Sequence, residues 1–196
     1  GLYLDDNAVA PATAREVAAI IEQGGGRPID GGIVGPPPTR PGTTRLHVSG
    51  AETEPVAALF AATDLKVVAI GPEIGAASAL KMCYAAYTKG TLALLIAIRA
   101  LASAEGVDEA LVEEWAVSQP GLADRSLDAV SRSAGKAWRY VGEMREIASS
   151  FEARGLPGGF HRGAADLYEA LAPFKDAEVT PDLAEVVDQL LSAQSA

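Results

Sequence analysis

A glycine turn at Gly75 runs straight into a long apolar stretch, Gly75-Ala-Ala-Ser-Ala-Leu-Lys81-Met-Cys-Tyr84-Ala-Ala-Tyr87-Thr88-Lys89-Gly90, continued by Thr91 to Ile98. This segment constrains the fold most. It reads as one helix over about 75–104 that is apolar nearly all round, so it must be enclosed by other elements. A lysine one to two turns inside such a helix needs a reason. Helical spacing stacks Lys81, Tyr84, Ala85 and Thr88 on one stripe. Buried lysines lose charge readily, which suits proton transfer. The alternative is a lysine that snorkels from the helix start to solvent. Tyr84 and Thr88 can hydrogen-bond a substrate, though Tyr84 can equally be core with its hydroxyl at the surface.

The two sides of this turn differ. Before it, residues 1–72 read as mixed α/β. Strand candidates are Leu2–Leu4, Pro28–Val34, Thr44–Ser49 and Leu65–Ile70, with helices over Pro11–Glu22 and Glu54–Ala62. Pro11 suits a first helical turn, and Gly24-Gly-Gly26 stops that helix. After the turn, residues 73–196 read as all-helical, with candidates near 75–104, 108–118, 121–133, 136–154, 161–175 and 181–194. Asp108 is a candidate cap, as is Thr180 before Pro181-Asp182. The fold expected is α/β followed by all-α. The proline-rich Gly35-Pro-Pro-Pro-Thr-Arg-Pro-Gly42 reads as a rigid loop between strands.

Composition excludes some functions. The formal net charge is -10 over 196 residues, against a general nucleic-acid binder or an anionic membrane surface. Cys83 is the only cysteine, so no internal disulfide forms, and a reducing, cytoplasmic setting fits. The run Thr91–Ile98 is too short for a bilayer, which needs about 20 residues. Two distant histidines and one cysteine make no metal-ligand pattern.

Two glycine-rich segments are further candidates. Asp30-Gly-Gly-Ile-Val-Gly35 ends a strand in glycine, which lets backbone approach a ligand or simply makes a sharp turn. Arg154-Gly-Leu-Pro-Gly-Gly-Phe-His161-Arg162-Gly163 reads as a loop between helices. It can hold an anion or donate a proton, or be a flexible loop with solvated charges. His47, mid-strand, reads as structural.

Taken in order, Asp5-Asp-Asn7-Ala-Val-Ala-Pro11, Asp30-Gly-Gly-Ile-Val-Gly35, Arg45-Leu-His-Val-Ser-Gly50, Gly71-Pro and Gly75…Lys81 resemble the β-hydroxyacid dehydrogenase superfamily, which includes 6-phosphogluconate and 3-hydroxyisobutyrate dehydrogenases. The resemblance covers nearly the whole chain. It implies a partial Rossmann-like dinucleotide-binding domain over 1–72 and a helical substrate and dimerisation domain over 73–196. It implies an NAD or NADP cofactor near Asn7 and Gly75, and Lys81 as proton donor or acceptor in hydride transfer at a carbon bearing oxygen or nitrogen. The small-molecule substrate would meet Gly35, Tyr84, Thr88, His161 and Arg162, with the last two reaching a partner's cleft in a homodimer. The sequence departs from the superfamily pattern at three places: its usual serine falls on Val34, its second glycine on Pro36, and the asparagine after the lysine on Ala85. The G-x-G-x-x-G turn that seats a pyrophosphate is missing, so the first half of the dinucleotide domain is expected before Gly1. The alternative reading is a non-catalytic helical dimerisation or binding module derived from the same fold.

Overall fold

The computed structural model describes residues 1–193. Its strands are β1 (Leu2–Asp5), β2 (Arg27–Val34), β3 (Thr44–Ser49) and β4 (Leu65–Gly71). Its helices are α1 (Pro11–Gln23), α2 (Glu54–Phe60), α3 (Ala76–Ala104), α4 (Asp108–Ser118), α5 (Leu122–Ser133), α6 (Ala137–Glu152), α7 (Gly159–Ala170) and α8 (Leu183–Ala193), with short 3-10 turns at Ala134–Lys136 and Ala172–Asp176. The expected order of α/β then all-α therefore holds. The last residue of the final helix candidate, 194, lies outside the described residues.

By internal contacts the chain forms two units. One comprises residues 1–85 with 149–158, the other 86–148 with 159–196. The first holds a four-stranded sheet in the order β1-β2-β3-β4. β1 pairs parallel with β2, β2 antiparallel with β3, and β3 parallel with β4. Ile29, Leu46, Val48 and Val56 form its core, with Leu4, Ile33 and Phe60 packed on it. Alternation on β3 puts Leu46 and Val48 inward, as the sequence pattern requires.

Gly35 ends β2 at φ +126°, where a Cβ would lie 2.5 Å from the Thr43 carbonyl oxygen. Both the backbone conformation and the close approach therefore demand glycine. Gly35→Ala is expected to lower stability by about 1–3 kcal/mol, read as a drop in thermal midpoint. Wild-type melting of that variant would refute the close packing of residues 35–43 on β3.

The second unit is helical, and its buried side chains include Ile96, Met144, Ile147, Tyr168, Leu171 and Val186. Asp108 does not cap α4. It is the first helical residue, and its carboxylate takes a bidentate grip from buried Arg99, Nε–Oδ1 2.6 Å and Nη2–Oδ2 2.7 Å. Arg99 Nη1 also donates to Ser126 Oγ at 2.7 Å, tying α3, α4 and α5 together. The guanidinium holds the Asp108 carboxyl below its ordinary value. At α8 the cap is Asp182 rather than Thr180. The Glu185 amide donates to Asp182 Oδ1, and the Asp182 amide to Glu185 Oε2, both at 2.9 Å. That reciprocal pair is a capping box.

α3, with 29 residues, is long and apolar enough by length and composition to cross a membrane. The apolar run Thr91–Ile98 is thus embedded in a longer helix than the run alone suggested. Met82, Ala85, Ala93, Leu95 and Ile96 on it are buried within the protein.

Candidate functional site

The start of α3 is held by a buried carboxylate. Asp30, 4% exposed in the middle of β2, points its side chain at the helix N-terminus. Its Oδ2 accepts from the Gly75 amide at 2.9 Å, the Ser78 amide at 3.0 Å and Ser49 Oγ at 3.0 Å. Its Oδ1 accepts from Ser78 Oγ at 2.5 Å. Ser49 Oγ in turn accepts from the Ala77 amide at 3.1 Å. Three of the amide groups that a helix start leaves without partners are thus satisfied from β2 and β3, and the charge faces the positive end of the helix dipole. Sequence reasoning quoted Asp30 without assigning it a role. The available signal was an acidic residue inside an otherwise buried strand.

One turn further, Lys81 is half-buried beside β2. Gly32 makes this approach possible: a Cβ there would lie 3.1 Å from Lys81 Cβ and 3.1 Å from the Ala77 carbonyl oxygen. Lys81 Nζ donates to the Ile33 carbonyl at 2.6 Å. The ammonium therefore sits against the last residues of β2, two positions before Gly35. Tyr84, 45% exposed, is the next member of the stripe. Asn7 is exposed just beyond β1, where its amide N–H and Nδ2 both donate to Asp5 Oδ1, at 3.2 and 2.5 Å. The Gly75 amide is engaged by Asp30, so that glycine serves the helix start in this structure.

Thr88, His161 and Arg162 belong to the second unit. His161 is not on a loop: α7 begins at Gly159, and His161 is 6% exposed. Its ring packs against Gly90 and hydrogen-bonds the Ala86 carbonyl. Phe160 meets it edge-on with centroids 5.0 Å apart. Arg162 is exposed. Nearby chemistry that the sequence reading passed over is an ion pair between Lys89 and Glu143, with Lys89 Nζ 4.8 Å from the centre of the Tyr140 ring. Tyr168, fully buried, donates to the Lys89 carbonyl at 2.7 Å.

Burial lowers the pKa of His161 below 6.5, against a smaller raising effect from the Ala86 carbonyl. The folded state then binds fewer protons than the unfolded chain as pH falls through 6.5, so this group's contribution is full above that value and is lost on acidification. His47 is shifted the same way by burial and by Arg45. The thermal midpoint is expected to fall from about pH 7.5 to about pH 5.5, and His161→Gln to fall less. An equal fall in the variant would remove His161 from this account.

A family profile described as "Domain of unknown function (DUF1932)" matches residues 102–171. A search of curated proteins finds no match. Among solved structures, a conserved hypothetical protein from Sinorhizobium meliloti 1021 is 29% identical over 98% of this chain and 66% of its own, with TM-score 0.77. The conserved protein MTH1747, described as structurally similar to 3-hydroxyacid dehydrogenases, is 25% identical over 90% of this chain and 69% of its own, with TM-score 0.65. A 3-hydroxyisobutyrate dehydrogenase from Salmonella typhimurium is 17% identical over 95% of this chain and 68% of its own, with TM-score 0.59. The chain thus spans about two thirds of the length of the structures it matches. With its four-stranded mixed sheet followed by a mainly helical remainder, the chain has a 3-hydroxyacid dehydrogenase-like fold.

Proposed function

We propose that this chain is the larger part of an NAD(P)-dependent oxidoreductase that moves a hydride to or from a carbon bearing oxygen or nitrogen, with Lys81 as proton donor or acceptor. The observation that carries the reading is the half-buried Lys81 ammonium, laid over Gly32 and held 2.6 Å from the Ile33 carbonyl. A cation fixed there orients a polar substrate and exchanges a proton at its heteroatom. Asn7 suits the amide end of a nicotinamide: its main-chain N–H and one Nδ2 hydrogen go to Asp5, which leaves its side-chain carbonyl to accept and its second Nδ2 hydrogen to donate. Bound NAD(P) would supply the hydride or take it. Gly35 gives the substrate bare backbone beside β2, while Tyr84 offers a hydroxyl.

We further propose a homodimer built by the helical part. Leu80, Tyr84, Tyr87, Leu94 and Leu101 of α3 are all exposed, and they recur on one side of the helix at spacings of three, four and seven residues. Such a stripe marks an interaction surface. In the dimer the exposed Arg162 would approach the partner's substrate. Light scattering at micromolar concentration tests the assembly, and a monomer rules it out. Mixing Lys81→Met with Arg162→Ala subunits tests the shared site: activity regained in mixed dimers supports it, and none regained assigns Arg162 to its own subunit.

The longest form specified by the coding region is expected to bind NADPH or NADH in calorimetric titration. Failure to bind either would favour a non-catalytic dimerisation module.

A further inference from the structure

The second unit holds a polar cleft of about 160 Å³ between α3 and α5. α3 lines it with Thr88 and with the hydroxyl of Thr91, and Leu95 is an apolar floor. α5 contributes Arg125, Asp128 and Arg132. The arginines are seven residues apart, two helical turns on one face, so both guanidinium groups line the same opening. Asp128 stands between them at three- and four-residue spacing, where an internal ion pair would be easy to form. Yet among the described residues neither arginine is in an ion pair, with Asp128 or any other acid. Two cations and one anion leave the cleft positive in a chain of net charge -10. A basic stretch that served general polyanion binding would not be confined to one pocket of so acidic a protein.

We propose that this cleft is a binding site for a small organic oxyanion, a carboxylate or a phosphate ester on a short carbon skeleton. Guanidinium groups bind such oxygens in a forked, bidentate geometry, and the Thr91 hydroxyl completes the donor set. Leu95 receives the carbon skeleton. The volume suits a few heavy atoms and is too small for a nucleotide. The Asp128 carboxylate between them disfavours a second anionic group in the cleft. The proposal is independent of the role of Lys81, because every residue in it lies in the second unit and none is assigned to hydride or proton transfer.

The test is calorimetric titration of the 196-residue chain with inorganic phosphate and with malonate, each against sodium chloride at matched ionic strength. Saturable binding of either anion is expected. Arg125→Gln and Arg132→Gln are each expected to weaken it by at least about tenfold, the worth of one charge-assisted contact. Arg139→Gln, an exposed arginine outside the cleft, should leave it unchanged. Phosphate binding without malonate identifies a phosphate ester as the source, the reverse a carboxylate, and binding of both the shared oxyanion chemistry. Thr91→Val, which alters no charge, provides a second variant and should weaken binding several-fold. Heats no larger than those of chloride, or binding that survives both arginine substitutions, would overturn the site.

Discussion

Asp30→Ala is expected to cost about 3–5 kcal/mol, a large part of the stability of an ordinary domain. The substitution removes the acceptor of two amides and two hydroxyls at the start of α3, all in a buried setting. The hydroxyls of Ser49 and Ser78 can turn elsewhere. The Gly75 and Ser78 amides cannot, because the helix fixes them, and a buried donor without a partner costs about 1–3 kcal/mol. Relief of the buried charge offsets part of this loss. Asp30→Asn separates the two effects. Its carbonyl can still accept from the amides and its NH2 can donate to Ser78 Oγ, so about 1–2 kcal/mol is expected, mostly the lost charge–dipole term. Urea unfolding midpoints measure both. A midpoint for Asp30→Ala within error of wild type would mean that the carboxylate does not hold this helix.

Lys81→Met in the longest native form is expected to lower turnover by about 10²–10⁴-fold with cofactor affinity little changed. Methionine keeps an unbranched stem over Gly32, so the packing there is largely retained. What goes is the ammonium and its bond to the Ile33 carbonyl. If Lys81 only ties α3 to β2, the same change lowers stability by about 1 kcal/mol, the worth of one such bond, and leaves turnover per folded molecule unaltered. Measuring turnover and the urea midpoint on one preparation distinguishes the two roles.

The order of elements was legible because each carries a local signal. β3 alternates, Pro11 opens α1, the glycines 24–26 close it, and one uninterrupted apolar run makes α3. Capping was misread at two helix starts, once through a contact from another helix and once through a local pair that was passed over. Asp108 looks like a cap until Arg99, nine residues earlier, takes its carboxylate. Asp182 prevails over Thr180 because only Asp182 stands three residues before Glu185.

The candidate site divides the same way. The sequence by itself marked Lys81, since a lysine early in an apolar helix conflicts with its surroundings, and it marked Gly35 through the turn. Hydrophobic period together with glycine and proline punctuation determined the order of α/β then all-α. Only the tertiary structure showed that Asp30, 45 residues before Gly75, reaches the start of α3. It alone buried His161 against Gly90, and it alone set Arg125 and Arg132 across from Thr88 and Thr91. The physical reason is that periodicity and capping are properties of a short stretch of backbone. The partner of a buried charge is chosen by packing between elements, and no local pattern records that choice.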